Sequence, residues 1–433
     1  MWSMQYARSW RLWRGNTVYL GTTHSIRIHS RKLSTLKTKT HTQNLAKGAQ
    51  TASTPPQADL HIVLAEVAAI FFVTHIAIYL LAIAGSTMFT GEMPPDSYLW
   101  MGIKPSNLLF LRIWERWDSI HYISILENGY TYFKPGVLNT AFFPLYPLLG
   151  YLLNSSVVHD PTVSLMLVSN CASFGGLVYV YKLVAHEYGQ EHARRAILYI
   201  SIFPNAFVLV GLYTESLFLL NLAATLYYAR TQRWGVAAVW GVLLTATRLV
   251  GVAALPALLW EYMSQRDWKW RRIDWRILSI GAMTIGLLSY MTYTYFAFGD
   301  FFSFVHSSTA GWNRHPAWPW VAWIEPIRRL GETNDRPMVL FTTLFGVLGL
   351  VLTILSFRRL RASYVILGAL LLIIPFASNQ AGGIPRYVLT NIPLFILLSK
   401  FGNNRIFHLT TMVFFLLFLA LFTILHANWL WVG

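Results

Sequence analysis

The sequence predicts an all-α protein that crosses a membrane many times. Of its 433 residues, 55% are hydrophobic and only 12% are charged, and the mean hydropathy is +0.45. Soluble proteins carry about 25% charged residues. The apolar residues are gathered in runs of roughly 17 to 25, the length at which a helix spans a hydrocarbon core of about 30 Å. A polytopic helical membrane protein is the class that fits these observations.

The apolar runs divide the chain into candidate membrane spans. Shorter runs are accepted where Pro or Gly interrupts the helix, because such breaks are tolerated inside a helical bundle. Charged turns separate most of the runs, as expected where the connections lie in water. The candidates are 61–84, 162–185, 195–213, 216–230, 277–297, 337–357, 363–378, 387–400 and 407–431.

The stretch 235–260 has two interpretations. A single helix would hold Arg248 in the middle of the membrane, at a cost of about 3 kcal/mol. Two short arms meeting at "TRLVG" avoid that cost and give about eleven crossings. They also place 24 of the 34 Lys and Arg residues inside and 11 of the 18 acidic residues outside. This asymmetry is the positive-inside pattern, so it favours two arms.

The N-terminal segment, 1–58, differs in composition from the rest. It contains no acidic residue and is rich in Ser, Thr, Lys and Arg, so it is expected to be a disordered basic tail. An organellar transit peptide or an over-long start would have the same composition. The membrane domain is expected to occupy 59–433.

Charge and cysteine content exclude several classes of protein. The net charge of +16 does not indicate a nucleic-acid-binding protein, because most basic residues flank apolar segments. The single cysteine, Cys171, excludes an internal disulfide framework. The sequence has no Cys/His metal spacing and no glycine-rich phosphate loop, so no metal or other cofactor is predicted.

Polar residues of chemical interest fall on the outer side of this topology. Its connections are 85–161, 213–216, 298–336 and 378–387. The long third connection contains His306, Trp312, Arg314 and His315, and connections of that length in compact proteins are usually functional or disordered. The run 142–153 is too short to span and contains two prolines, so we expect a re-entrant or interfacial piece.

The first outer connection is predicted to contain an amphipathic helix over 111–126. At helical spacing Trp114, Trp117 and His121 share one face, while Glu115 and Asp118 share the next. That pattern is typical of a helix lying in the membrane interface.

Five blocks in order carry a family resemblance. They are "RWDSIHYISILENGY", "AFFPLYPLL", "FPNAFVLVGLYTESLF", "TATRLVG" and "PRYVLTNIPLF", between about residues 60 and 400. Together they resemble the PIG-V-type mannosyltransferases and their prokaryotic relatives; 1–58 lies outside the resemblance. The resemblance implies a GT-C fold, an active site on the extracytoplasmic face and a polyprenyl- or dolichyl-phosphate sugar donor. It also implies that Asp118, the acidic residue of the first outer loop, is catalytic.

The chemistry of such a transfer assigns roles to several residues. A carboxylate must accept the proton of the acceptor hydroxyl, for which Asp118 is the candidate and Glu115 the reserve. Cations must stabilise the departing lipid phosphate, for which Arg248 and Arg386 are candidates. One displacement would invert the anomeric configuration and requires neither a nucleophile nor a metal. His121 is a further candidate for the donor phosphate, and Tyr213, Glu215, Trp117 and Arg314 are candidates for substrate binding.

Each candidate has a structural alternative. Asp118 could pair with Arg112 or Arg116, and Glu115 with Arg112. Arg248 could pair with a carboxylate such as Glu215, which is expensive in a membrane without a partner or a water-filled cavity. His121 could be a satisfied structural group, Arg386 could snorkel to the interface, and Trp114 and Trp117 could be interfacial anchors.

A transporter or lipid flippase is the rival function. Transporters place ionisable groups near the midplane and often contain paired repeats, whereas here the polar chemistry lies on one face, which favours an enzyme. The expected partners are the lipid-linked donor, a lipid or glycan acceptor and membrane lipid. The expected location is a bacterial or archaeal plasma membrane, or the endoplasmic reticulum in a eukaryote. The sequence leaves open the sugar, the acceptor and the need for an accessory subunit.

Overall fold

A computed structural model describes residues 59–89, 101–328, 330, 336–379 and 382–432. The predicted tail, 1–58, lies outside the described residues. The described chain is mostly helical, with several apolar helices, which confirms the predicted all-α class. Its α-helices, numbered in chain order, are α1 (Leu60–Met88), α2 (Leu109–Arg112), α3 (Asp118–Asn128), α4 (Leu145–Leu153), α5 (Pro161–Tyr188), α6 (Gln190–Ser201), α7 (Glu215–Arg230), α8 (Trp234–Thr247), α9 (Ala254–Ser264), α10 (Leu278–Ala282), α11 (Ile285–Phe298), α12 (Ser303–Trp312), α13 (Val321–Arg328), α14 (Arg336–Ser356), α15 (Ala362–Phe376), α16 (Ile384–Leu389), α17 (Ile392–Phe401) and α18 (Arg405–Ala427).

Helix length separates the apolar segments into two groups. Among the described residues, α1, α5, α14 and α18 each contain a helix long and apolar enough to cross a membrane. Trp275–Ala282 and Ile285–Phe298, bent by 43° at a short break, make a fifth if they act as one span. The other apolar helices have 10 to 17 residues. Each candidate span contains helix, but 195–213 is α-helical only as far as Ser201, where α6 ends, and then contains a short 3₁₀ turn, Ala206–Leu209. The count of eleven crossings remains a prediction because so many helices are broken.

The break predicted at Arg248 is confirmed. Helix α8 ends at Thr247, and Arg248 is extended, with φ −156° and ψ 145°. A 3₁₀ turn, Leu249–Ala253, then leads into α9. The chain thus has two arms at "TRLVG", because a continuous helix would hold the guanidinium among apolar neighbours.

Two glycines allow helices to approach closely. A Cβ at Gly286 would lie 2.0 Å from Val242 O, so the contact between α11 and α8 requires glycine there. A Cβ at Gly176 would lie 3.2 Å from Leu220 N, where α5 meets α7. Small residues at helix contacts are typical of membrane bundles, in which packing rather than the hydrophobic effect holds helices together.

Three turns that the predicted topology places inside, 192–195, 358–361 and 400–405, contact one another. Lys400 Nζ donates to Arg359 O at 3.0 Å, and Arg195 is hydrogen-bonded to Asn403. These contacts join three of the basic turns. Residues of the predicted outer connections gather elsewhere, around the cavity described below. The grouping of the turns therefore agrees with the predicted topology.

The predicted interfacial helix over 111–126 is wrong in its continuity. The chain forms α2, then an irregular segment over 113–117, and then α3. Trp117 has φ 56°, which no residue inside a right-handed helix adopts. Glu115 and Asp118 therefore do not share a helical face. The short piece predicted over 142–153 is helix α4, which continues into a π-helical turn, Asn154–Val158.

Two short strands follow α3. Tyr132–Lys134 (β1) and Val137–Leu138 (β2) form an antiparallel hairpin. The third outer connection, expected as a loop, contains α12 and α13. Ser307 of α12 is hydrogen-bonded to Leu138 O, which joins α12 to the hairpin.

Candidate active site

Asp118 lies where the chain turns sharply into a helix. It is the first residue of α3, directly after Trp117 with its positive φ. A bulky residue in this conformation is uncommon and is maintained by the surrounding structure. The arrangement turns the backbone so that the Asp118 carboxylate lies at a helix N-terminus, where the helix dipole favours a negative charge.

Two carboxylates and two guanidiniums form one network. Arg386 Nη1 donates to Asp118 Oδ2 at 2.6 Å, across 268 positions of sequence. Arg386 Nε donates to Glu215 Oε1 at 2.7 Å. Arg248 also forms an ion pair with Glu215. The structure therefore brings together the four residues on which the sequence analysis places most of the chemistry.

Exposure distinguishes the two carboxylates. The side chain of Asp118 is 23% exposed, whereas that of Glu215 is fully buried. Aromatic rings support the two guanidiniums: Arg386 lies 4.8 Å from the centroid of the Tyr213 ring, and Arg248 lies 4.8 Å from that of Tyr387. Cation–π contacts of this kind orient a guanidinium while its remaining N–H groups stay available. Asp118 is thus the carboxylate that a substrate can reach.

The accessible side of the network faces a cavity of about 440 Å³. Its walls come from the outer connections and from the break at Arg248. The residues that line it are Trp117, Asp118, His121, Tyr122, Ala141, Phe142, Phe143, Thr214, Thr247, Arg248, Leu249, Val250, Phe304, Ser308, Trp312, Arg314, Gly382, Gly383, Arg386, Tyr387 and Trp431. Of the sequence candidates, Trp117, Asp118, His121, Arg248, Arg314 and Arg386 line this cavity.

Arg314 adds a third guanidinium to the cavity. It follows α12, and its Nη2 donates to Gly382 O at 3.4 Å. Its Nε is buried without a hydrogen-bond partner, and no carboxylate within the described ranges pairs with it. Among the residues that the structure describes, the cavity therefore has one guanidinium without a carboxylate partner.

Three candidates have other surroundings. Glu215 and Tyr213 lie outside the cavity lining. Glu215 forms ion pairs with both Arg248 and Arg386. The Tyr213 hydroxyl donates to Arg116 O at 3.3 Å. Glu115 also lies outside it and accepts hydrogen bonds from Ser106 N at 2.9 Å and Thr162 Oγ1 at 2.7 Å. Burial raises the pKa of Glu115, and these two hydrogen bonds oppose that shift.

His121 lies one helical turn beyond Asp118. Its ring stacks on Phe142 with centroids 4.4 Å apart, and the rings of Phe133 and Trp312 lie at 4.8 and 5.4 Å. Burial lowers the pKa of His121 to about 4, with the Asp118 charge opposing the shift and Lys134 adding to it. At neutral pH the imidazole is uncharged.

Trp431 is a cavity residue that the sequence analysis did not identify. Its ring centroid lies 5.3 Å from that of Trp117 and 6.0 Å from the Arg386 guanidinium. Asn205 Nδ2 anchors the segment by donating to Val432 O at 2.7 Å. Alternating tryptophans directly after α18, in "NWLWV", are the sequence signal for this wall.

A metal site built by protein ligands does not appear in the part of the chain that the structure describes. No three His, Cys, Asp or Glu side chains lie together there as a metal would require.

Comparison with known proteins finds structural similarity only. No protein-family model and no curated protein matches the chain. ArnT from Cupriavidus metallidurans, solved bound to undecaprenyl phosphate, aligns with a TM-score of 0.47 and 14% identity, over 77% of this chain and 59% of that one. AglB from Archaeoglobus fulgidus, an archaeal oligosaccharyltransferase solved with an inhibitory peptide and a dolichol-phosphate, aligns with a TM-score of 0.39 and 11% identity, over 83% and 56%.

This chain spans less than two thirds of either structure's length. At such TM-scores and identities the similarity assigns neither a family nor an activity to this chain. The reasoning about function below therefore begins from the cavity and its residues.

Proposed function

We propose that this chain is a membrane glycosyltransferase of the GT-C type. It transfers a sugar from a polyprenyl- or dolichyl-phosphate donor to a hydroxyl of a lipid-linked or glycan acceptor. One observation carries the proposal: the cavity places an accessible carboxylate, Asp118, directly against the guanidinium of Arg386, with Arg248 and Arg314 in the same walls. These are the groups that such a transfer needs, a proton acceptor and cations for the leaving phosphate.

The charge of the cavity matches this donor. Among the described residues, the guanidiniums of Arg248, Arg314 and Arg386 line the cavity, and the carboxylates that pair with them are those of Asp118 and Glu215. This count leaves one positive charge in excess. A sugar linked to a lipid through phosphate is a phosphodiester with a single negative charge. Binding of the donor would therefore neutralise the site, and the additional charge that develops on the leaving phosphate would be stabilised by cations already in place.

The proposed reaction is a single displacement. The acceptor hydroxyl oxygen forms a bond to the anomeric carbon while the bond from that carbon to the phosphate oxygen breaks. The electron pair of the broken bond leaves with the lipid phosphate, and the hydroxyl proton passes to Asp118. The products are the glycoside and the lipid phosphate, and Asp118 returns its proton to water. Attack opposite the leaving group converts a β-linked donor into an α-linked product.

The network links donor binding to activation of the base. Asp118 shares Arg386 with Glu215, so its lone pairs are partly engaged. A donor phosphate that competes for Arg386 would release the Asp118 carboxylate toward the acceptor hydroxyl. Charge-assisted hydrogen bonds between a guanidinium and a phosphate are strong enough for such an exchange.

The resemblance to PIG-V-type enzymes supports mannose as the sugar and an extracytoplasmic active site. The acceptor class, a lipid-linked or glycan hydroxyl, rests on the same resemblance. The corresponding location is a bacterial or archaeal plasma membrane, or the endoplasmic reticulum membrane if the source is eukaryotic. The need for an accessory subunit or a divalent metal is a separate question for the purified protein.

The proposal is tested by transfer of radiolabelled mannose from polyprenyl-phosphate mannose in membranes that contain equal amounts of wild type, Asp118→Asn or Glu115→Gln. We expect wild type and Glu115→Gln to transfer, because Glu115 lies outside the cavity, and Asp118→Asn to lose at least about 100-fold in rate. If only Glu115→Gln is inactive, the base assignment is wrong. If wild type transfers no lipid-linked sugar to any lipid or glycan acceptor, the function is wrong, and transport or lipid flipping becomes the next hypothesis to test.

A further inference from the structure

The imidazole of His121 is buried but makes no hydrogen bond within the described part of the chain. The residue is 8% exposed, and its Nδ1 has no partner. Buried polar side-chain atoms are almost always hydrogen-bonded, and an unpaired one costs about 1–3 kcal/mol. His121 lines the cavity, and its Nε2 is not among the enclosed side-chain atoms, so Nε2 is the nitrogen that a bound ligand can reach.

The surroundings of the imidazole are aromatic. Phe142 stacks against one face of the ring at 4.4 Å, nearly parallel at 17°. The Phe133 ring meets it edge-on with centroids 4.8 Å apart, and the Trp312 ring is tilted by 59° with centroids 5.4 Å apart. His121, Phe142 and Trp312 line the cavity and form its aromatic end, and Phe133 packs against His121 outside the lining. The contacts fix the plane of the imidazole, so the position of its polar atoms is set before any ligand binds.

We propose that the aromatic end of the cavity is the subsite for the sugar ring of the donor, and that His121 hydrogen-bonds a sugar hydroxyl there. This inference rests on the proposed function and specifies how the same cavity divides between the two parts of the donor. The lipid phosphate occupies the end with Arg248, Arg314 and Arg386. The sugar occupies the end with His121 and Trp312.

Helix geometry places the two subsites next to each other. Asp118 and His121 are three residues apart in α3, so they lie on the same face with their Cβ atoms about 5–6 Å apart. A sugar ring held at His121 would therefore have its anomeric carbon close to Asp118. Arg386, bonded to Asp118 at 2.6 Å, then lies beside the phosphate oxygen that must leave.

The chemistry of the aromatic end suits a sugar better than a phosphate. Sugars offer both C–H faces, which pack on aromatic rings, and hydroxyls, which need neutral donors and acceptors. A neutral imidazole supplies one N–H donor and one nitrogen acceptor. The rings in contact with His121 are those of apolar side chains, and their burial of the imidazole outweighs the opposing charge of Asp118.

The test compares two ligands that differ only in the sugar. Polyprenyl phosphate and polyprenyl-phosphate mannose are titrated into the purified full chain in nanodiscs, without acceptor, and Kd is measured for each. The variant His121→Phe keeps the stacked ring and removes both nitrogens. His121→Asn and His121→Gln return a polar group near the positions of Nδ1 and Nε2. The matched control is His186→Phe, in the last turn of α5 outside the cavity lining.

We expect His121→Phe to bind polyprenyl phosphate within about twofold of wild type and polyprenyl-phosphate mannose about tenfold more weakly. Either His121→Asn or His121→Gln should recover most of the lost affinity. The variant that does so identifies the imidazole nitrogen that contacts the sugar. The control should leave both Kd values unchanged. Thermal unfolding of each variant in the same nanodiscs shows which proteins are folded.

Three outcomes would overturn the subsite. They are unchanged affinity of His121→Phe for both ligands, an equal loss for both ligands, and a loss in Asn and Gln as large as in Phe. Failure of the proposed function would appear differently. Wild type itself would then bind neither ligand or would transfer no lipid-linked sugar to any acceptor.

Discussion

Arg386 Nη1 lies 2.6 Å from Asp118 Oδ2, and Arg386 Nε lies 2.7 Å from Glu215 Oε1. One guanidinium thus connects the accessible carboxylate of the cavity to a fully buried one. Arg386 can make both contacts because its donors point in two fixed directions in one plane. The relationship explains how a cation can be held rigidly in an apolar bundle while one of its edges stays available to a substrate.

Replacement of Arg386 by Lys should break this bridge. A single ammonium cannot reproduce the two directed contacts, so we expect transfer to fall about 100-fold, mostly in kcat, with the membrane helices intact. The measurement is steady-state transfer by purified protein. Arg361→Lys is the matched control, since Arg361 pairs with Glu187 outside the cavity lining. Activity of Arg386→Lys within about twofold of wild type would contradict the bridging role.

Glu215→Gln should destabilise the protein as well as slow it. Glu215 is the buried partner of both Arg248 and Arg386. Loss of its charge would leave two guanidiniums poorly compensated, which typically costs about 3 kcal/mol or more. The check is the thermal midpoint in detergent beside Glu191→Gln, which breaks an exposed pair with Arg195 and should change stability by less than about 1 kcal/mol. Equal thermal midpoints for the two variants would contradict the role of Glu215 as the buried partner of both arginines.

His121 should contribute a loss of stability in acid. Burial lowers its pKa from about 6.5 to about 4. The unfolded chain therefore binds more protons than the folded one between these values, so stability falls as the pH decreases from about 6.5 toward 4. At pH 5 this amounts to about 2 kcal/mol. Between pH 7 and pH 5 the free energy of unfolding should decrease less for His121→Phe than for wild type. An identical decrease for the two proteins would refute the buried, neutral histidine.

Trp431→Ala should reduce transfer by about tenfold without unfolding the bundle, because Trp431 forms the wall beside Trp117 and Arg386. The control is Trp270→Ala, a highly exposed tryptophan of a 3₁₀ turn outside the cavity. Transfer rates and expression levels of both variants are compared with wild type. If both variants change the transfer rate by the same factor, Trp431 does not shape the site.

Several features of the site could be predicted from the sequence because they follow from energetic costs of particular residues in a membrane. A guanidinium in the middle of an apolar run is expensive, so the break at Arg248 could be predicted, and so could its pairing with Glu215 as one of two alternatives. Charge asymmetry assigned to one side three basic turns that contact one another in the structure. The cavity takes residues from the outer connections because these connections lie at the same end of the bundle.

Other features depend on packing that spacing does not reveal. A period of 3.6 placed Glu115 and Asp118 on one face, but Trp117 adopts a positive φ and turns the two carboxylates apart. Trp431 reaches the cavity through contacts with residues that are far away in sequence. The direction of Glu215, behind the arginines rather than into the cavity, depends on the simultaneous positions of α7, α8 and α16.

The most direct test of the central claim is the anomeric configuration of the product. Purified protein in nanodiscs is supplied with β-linked polyprenyl-phosphate mannose and a hydroxyl acceptor, and the product is analysed by NMR. The account predicts an α-linked glycoside from wild type and no detectable product from equally folded Asp118→Asn. A β-linked product, or an α-linked product formed as fast by Asp118→Asn, would contradict a single displacement with Asp118 as the base.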